Sequence, residues 1–295
     1  MGTRGRGRVS RLMASSIVMV MAAAGCSSGA SKSASMSGSP HAATPHGALP
    51  GRHVHGVARN PGDGRVYVAT HDGLFRIARG GNATRVGPVI DLMGFVVAGP
   101  GHFYASGHPG PGGNLPDPVG LIESRDAGLT WTALSRQGES DFHALAFSRG
   151  GVVGFDGEQL AATRDGRIWR QLTAPVAPHS VAVSPDGTVV LVSSVSGLAR
   201  SNDQGATWQR PQTPLPLQLV AWVDAKHAAG VAPDGRIAVS NDAGVSWQVR
   251  GSIGASPHAL GAHPISSGGF EILAVSETAL LRSADNGMSF APHEG

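Results

Sequence analysis

Short apolar runs bounded by clusters of Gly, Pro, Asp and Ser fill this chain from residue 53 to its end. The clearest stretch reads His179-Ser-Val-Ala-Val-Ser184, then a Pro185-Asp-Gly187 turn, then Thr188-Val-Val-Leu-Val-Ser193, then Gly197 to Ser201 and a fourth segment from Thr207. This pattern predicts four strands, A to D, joined by tight turns. The same order starts again at His55, Met93, His143, Gln218 and His258, giving about six units.

The turn before the fourth strand carries a fixed phrase, Ser-x-Asp-x-Gly-x-Thr/Ser-Trp, the Asp box. Copies occupy Ser124 to Trp131, Ser201 to Trp208 and Ser240 to Trp247, with a variant at Ser283 to Phe290 and a shortened one at Thr163 to Trp169. Their aspartates, Asp126, Asp165, Asp203, Asp242 and Asp285, are 39, 38, 39 and 43 residues apart. A period near 40 residues is the length of a four-stranded blade, so the expected fold is an all-β propeller of about six blades with Asp boxes between strands C and D. The carboxylate can accept hydrogen bonds across the turn, Gly supplies positive φ, and the aromatic residue is aimed between blades. These aspartates therefore read as structural. The first unit keeps strands A to C, but its box has decayed to Arg79-Gly-Gly-Asn82. The chain opens on A and ends on D, so ring closure is expected to rest on side-chain packing and not on a shared strand.

Composition changes the picture at the N-terminus. Arg4, Arg6, Arg8 and Arg11 precede an apolar run, Leu12 to Ala24, and Ala23-Ala-Gly-Cys26 resembles a bacterial lipobox. Residues 1–25 are expected to be a lipoprotein signal and Cys26 the site of lipidation. The anchor would hold the protein to the outer side of the cytoplasmic membrane. Residues 26–50, rich in Ser, Gly, Ala, Pro and His, read as a tether, and 51–295 as the propeller. Without the signal, 19 basic residues stand against 20 acidic ones, a balance of −1 that argues against nucleic acid as a partner. Cys26 is the only cysteine, so the fold needs no disulfide.

The candidate chemistry lies in histidine placement. The first position of strand A holds His55, Met93, His143, His179, Gln218 and His258, which in a propeller form a ring at one mouth of the central channel. His71 and His108, assigned to B–C loops, should overhang the same mouth. His53 and Asp141 precede strand-A histidines by two residues, the spacing that returns a side chain to one strand face. Converging imidazoles without cysteine suit Zn, Cu, Fe, Mn or Ni, with Gln218 or Asp141 as an oxygen ligand or orienting group. Hydrated channel filler would also be polar, though Ser, Thr, Asn and Asp are its ordinary constituents.

The phrases His53-Val-His55-Gly56, Ala69-Thr-His71-Asp-Gly-Leu74, Met93-Gly-Phe95, Ser106-Gly-His-Pro109, Gly120 to Asp126 and Asp141-Phe-His143-Ala-Leu145 span residues 53–145. Through them the chain resembles bacterial exported Asp-box (BNR-repeat) proteins labelled sialidase-like or glycosyl hydrolase. The resemblance implies a propeller and, as an alternative to ligand, glycan or protein binding, glycosyl hydrolase or lyase action on extracellular glycans. A sialidase would need three arginines, a Glu-activated Tyr and an Asp. Tyr67 and Tyr104 both fall in predicted B strands, and Arg76 recurs in strand C as Arg200 and Arg282. True sialidase chemistry is therefore not expected. Acidic residues outside boxes and turns are Glu123, Glu139, Asp141, Glu158, Glu271 and Glu277. A two-carboxylate glycosidase would have to draw on these.

Overall fold

The computed structural model describes Leu49 and residues 53–78, 80–266 and 268–294. The export segment, Cys26 and all of the tether except Leu49 lie outside them.

Six antiparallel sheets follow one another along the chain, each made from one uninterrupted segment. Blade 1 contains β1 (Val54–Arg59), β2 (Val66–Thr70), β3 (Gly73–Ile77) and β4 (Ala83–Val86). Blade 2 contains β5 (Ile90–Gly99), β6 (His102–Pro109), β7 (Leu121–Ser124) and β8 (Thr132–Ser135). Blade 3 contains β9 (Ala144–Ser148), β10 (Gly151–Phe155), β11 (Leu160–Thr163) and β12 (Trp169–Leu172). In blade 4, β13 (Ser180–Val183), β14 (Val190–Ser194) and β15 (Gly197–Ser201) are regular, and the fourth strand shrinks to a bridge between Arg200 and Gln209. Pro211, Pro214 and Pro216 follow that bridge, and proline cannot donate to a ladder. Blade 5 contains β16 (Leu219–Trp222), β17 (Ala228–Val231), β18 (Arg236–Ser240) and β19 (Gln248–Ser252); blade 6 contains β20 (Pro257–Pro264), β21 (Phe270–Ser276), β22 (Leu280–Ser283) and β23 (Ala291–Pro292).

The innermost strands pack in the cyclic order β1, β5, β9, β13, β16, β20 and back to β1, which closes a six-bladed propeller. Each blade interface has its own apolar cluster among the described residues, six in all. The core is thus a set of wedges and not a single centre. Box aromatics fill them: Trp169 stacks on Phe142 at 4.8 Å, and Trp247 is buried between blades 4 and 5.

The boxes form as their composition dictates. In blade 5 the buried Ser240 hydroxyl donates to Asp242 Oδ1 (2.9 Å) and accepts Gly244 N–H (2.8 Å), while Asp242 accepts Ser246 N–H (2.8 Å) and Oγ–H (2.6 Å). Ala243 and Gly244 are both left-handed, at φ 58° and 80°. Gly244 has a second reason to lack a side chain, since a Cβ there would lie 2.8 Å from Leu191 of the preceding blade. Hydroxyl and backbone donors at Thr207 hold the Asp203 carboxyl down to about 2, so it is a fixed, ionised acceptor.

Closure between blades 6 and 1 uses packing, as the strand order implied: Val57, Val66 and Val68 meet Leu273, Val275 and Leu280, with Leu49 against the same cluster. A buried polar group adds to it. Glu271, only 1% exposed, accepts Arg59 Nη2–H at 2.8 Å and Nε–H at 2.9 Å, lies 2.8 Å from His263 Nε2, and accepts a further bond from Arg282 Nε. Burial alone would raise this carboxyl, but bonds from His263, Arg59 and Arg282 outweigh it and hold the group far below the usual carboxylate range.

Candidate functional site

Channel mouth and strand-A starts coincide. His55, His143, His179 and His258, one from each of blades 1, 3, 4 and 6, line a central cavity of about 110 Å³ together with Phe95 and Leu145. Gln218 occupies the corresponding place in blade 5, where its N–H bonds Val231 O, but it is not among the cavity's lining residues. Met93 lies three residues inside β5, because the first hairpin of blade 2 is longer than the repeat predicts.

That longer hairpin also corrects the placement of His108. It belongs to strand β6, paired with Asp91 on β5, and not to a B–C loop. The extension depends on Gly107 (φ 144°), where a Cβ would lie 1.9 Å from Asp91 O. His71 does sit in the β2–β3 turn.

Two hydrogen-bonded arrays result. In the first, Asp91 Oδ1 lies 2.6 Å from His71 Nδ1, and His71 Nε2 faces His55 Nε2 at 3.1 Å. The His55 and His71 rings are 4.5 Å apart at 75°, and His53 stands edge-on to His71 at 5.2 Å. A carboxylate facing Nδ1 favours the His71 tautomer that carries its hydrogen there, which aims the Nε2 lone pair at His55. Burial, then the neighbouring His71, pushes the His55 imidazole down to about 4, so it is neutral at ordinary pH.

The second array runs from Asp117 Oδ1 to His108 Nδ1 (2.6 Å), from His108 Nε2 to Asp141 Oδ2 (3.1 Å), and on to His143 Nε2 (2.6 Å). The next residue, Phe142, anchors Asp141 by donating its N–H to the buried Ser106 hydroxyl at 2.9 Å. Asp141 Oδ1 is buried without a partner among the described residues. Hydrogen bonds to Asp117 and Asp141 raise the pKa values of His108 and His143 respectively. The mouth therefore combines one imidazole, His55, pushed toward the neutral form with two, His108 and His143, pushed toward the charged form.

Among the described residues, His179 and His258 make no side-chain hydrogen bond, so the ring expected from the repeat is chemically uneven. Among the described residues no group of three or more His, Cys, Asp or Glu side chains is disposed to hold a metal ion. Two imidazole nitrogens do converge. Sequence reasoning missed Asp91 and Asp117. Asp91 had a signal, because it precedes Met93 by the two residues that separate His53 from His55 and Asp141 from His143. Asp117 lies in the blade 2 insertion, where no repeat gives a register.

The other acidic candidates do not assemble. Glu123 bonds His102 and Arg125, Glu271 belongs to the closure seam, and neither shares a partner with Asp141. Tyr104 stacks on Phe147, and the Tyr67 hydroxyl donates to Asp63.

Comparison with solved structures finds the same architecture. The chain is similar to the WD40 β-propeller domain of Doa1 (15% identity, 83% of each chain, TM-score 0.56) and to virginiamycin B lyase from Staphylococcus aureus (13%, 82% of this chain and 85% of that one, TM-score 0.55). It is also similar to an ancestral GH74 enzyme, at 14% identity over 83% of this chain and only 38% of the enzyme, with a TM-score of 0.53. No protein-family model and no curated protein matches the sequence. At these identities the likeness establishes the propeller fold alone.

Proposed function

We propose that this protein is a lipid-anchored, extracytoplasmic binding propeller that takes its ligand at the histidine-lined mouth, with a transition ion between His55 and His71. The observation that carries the reading is the pair of Nε2 atoms facing each other at 3.1 Å, one oriented by Asp91. A carboxylate on the far nitrogen is the usual way to fix a ligating tautomer, and neutral imidazole suits Zn or Cu. Two protein ligands leave coordination positions for water or for donor atoms of the ligand. The lipobox at Cys26 supports an envelope location.

The test is calorimetric titration of chelator-treated protein with Zn²⁺ and with Cu²⁺. One equivalent should bind the wild type; His55→Ala and His71→Ala should abolish binding, and Asp91→Asn should weaken it roughly 10–100-fold. Titrations indifferent to His71→Ala would defeat the metal reading. Incorporation of labelled palmitate, lost in Cys26→Ala, tests the anchor.

A second reading, a hydrolase or lyase acting on an extracellular glycan, is favoured by the Asp91–His71 pair, because an imidazole oriented by a carboxylate is what a general base requires. Depolymerisation of envelope glycans, lost in His71→Ala, would support it.

A further inference from the structure

The face opposite the mouth carries the A–B turns and the Asp boxes, and between blades 3 and 4 it opens into a groove of about 740 Å³. Its position follows from the shortened box of blade 3. There Asp165 accepts the Arg167 and Ile168 N–H groups at 2.9 Å each, within a turn one residue shorter than its neighbours. At one end the turns of blades 3 and 4 touch through glycine, where a Cβ on Gly187 would lie 3.0 Å from Gly150 Cα, and Arg149 N–H bonds Pro185 O at 3.1 Å.

Arg149, Arg164 and Arg170 line this groove. Arg170 bonds Gln204 O, whereas the guanidinium groups of Arg149 and Arg164 have no partner among the described residues. Two carboxylates also line it, each with an oxygen engaged by its own turn. Asp165 is held by its own turn, and Asp186 accepts Ser184 Oγ–H (2.6 Å) and Thr188 N–H (3.0 Å). The groove thus presents free guanidinium donors over an aliphatic floor, with Ile168, 78% exposed, at the edge.

We propose that this groove docks an extended acidic segment of a partner protein, its carboxylates on Arg149 and Arg164 and its apolar side chains against Ile168 and the valine floor. Guanidinium forks match carboxylates in a bidentate way, and alternation of acidic and apolar side chains is the natural pattern of an extended chain. The same face carries the ionised carboxylates of Asp126, Asp203, Asp242 and Asp285, whose donors hold them in place. A broad anionic bilayer would meet those charges together, whereas an extended chain can set its carboxylates on Arg149 and Arg164, clear of Asp165 and Asp186. A polysaccharide finds no aromatic platform, because no aromatic residue among the described residues lines the groove.

The experiment is fluorescence anisotropy of a labelled octapeptide alternating Glu with Leu, run beside its Gln-for-Glu version, an oligogalacturonate and phosphatidylglycerol vesicles. The Glu peptide should bind and its Gln version should not. The Arg149→Ala, Arg164→Ala double variant should weaken binding about 100-fold, tenfold for each lost charged contact. Both arginines are exposed, and an unchanged melting temperature would show that the variant is folded. Equal binding of the Gln peptide, indifference to the double variant, no binding of the Glu peptide, or binding confined to the oligogalacturonate or the vesicles would each overturn the proposal.

Discussion

Glu271→Gln tests how this ring is held shut. The carboxylate is 1% exposed and accepts bonds from Arg59, Arg282 and His263, so the substitution leaves two partly exposed guanidinium groups and an imidazole facing a neutral amide. Breaking a buried ion pair from one side costs about 3–5 kcal/mol. For a domain of this size that is a fall in melting temperature of roughly 6–20 °C. Because the native carboxyl is depressed, its contribution is fully present above the ordinary glutamate pKa, 4.5, and is lost as pH falls through the depressed value. Thermal unfolding followed by circular dichroism should show a large gap between wild type and variant at neutral pH that narrows on acidification. A double-mutant cycle pairing Glu271→Gln with Arg59→Met should show coupling above about 1 kcal/mol. A variant melting within about 2 °C of the wild type at neutral pH, with no coupling to Arg59, would refute the role of this seam.

Ser240→Ala removes the acceptor of Gly244 N–H and the donor to Asp242 and should cost about 1–3 kcal/mol in urea unfolding. Trp169→Phe should destabilise more than Trp208→Phe, since Trp169 Nε1 donates to Ser135 Oγ at 2.9 Å whereas Trp208 Nε1 is buried without a partner among the described residues. Imidazole resonances should titrate in opposite senses, with His108 and His143 above the ordinary value of 6.5 and His55 near 4. The signs for stability follow: the His143 contribution is present below 6.5 and fades as pH rises through its raised value, whereas that of His55 is present above 6.5 and fades as pH falls toward 4. Gly107→Ala should part β5 from β6 beside Asp91, lowering the melting temperature.

The fold was legible because the repeat states it several times over. Each box pairs a turn-forming Asp and Gly with an aromatic wedge, so even the degraded copy at Thr163 keeps its hydrogen bonds. Strand A starts were legible for the same reason, and they place four histidines on one cavity. What escaped was set by departures from the repeat. The extended β5–β6 hairpin moved His108 onto a strand and brought Asp91 to the mouth, the insertion after β6 brought Asp117 to His108, and prolines after Gln209 removed a strand from blade 4. Glu271 was visible as an acidic residue outside the turns, but its partners include Arg59, from the opposite end of the domain. No local pattern announces such a contact.

Assembly of every blade from one continuous segment has an evolutionary consequence. A duplicated or deleted segment of about forty residues would add or remove a whole wedge without rerouting any strand. The join between the two chain ends would tolerate this least, because Arg59 and Glu271 must still meet when the circumference changes. Paralogues with another blade number should therefore differ first in the residues standing at these two positions.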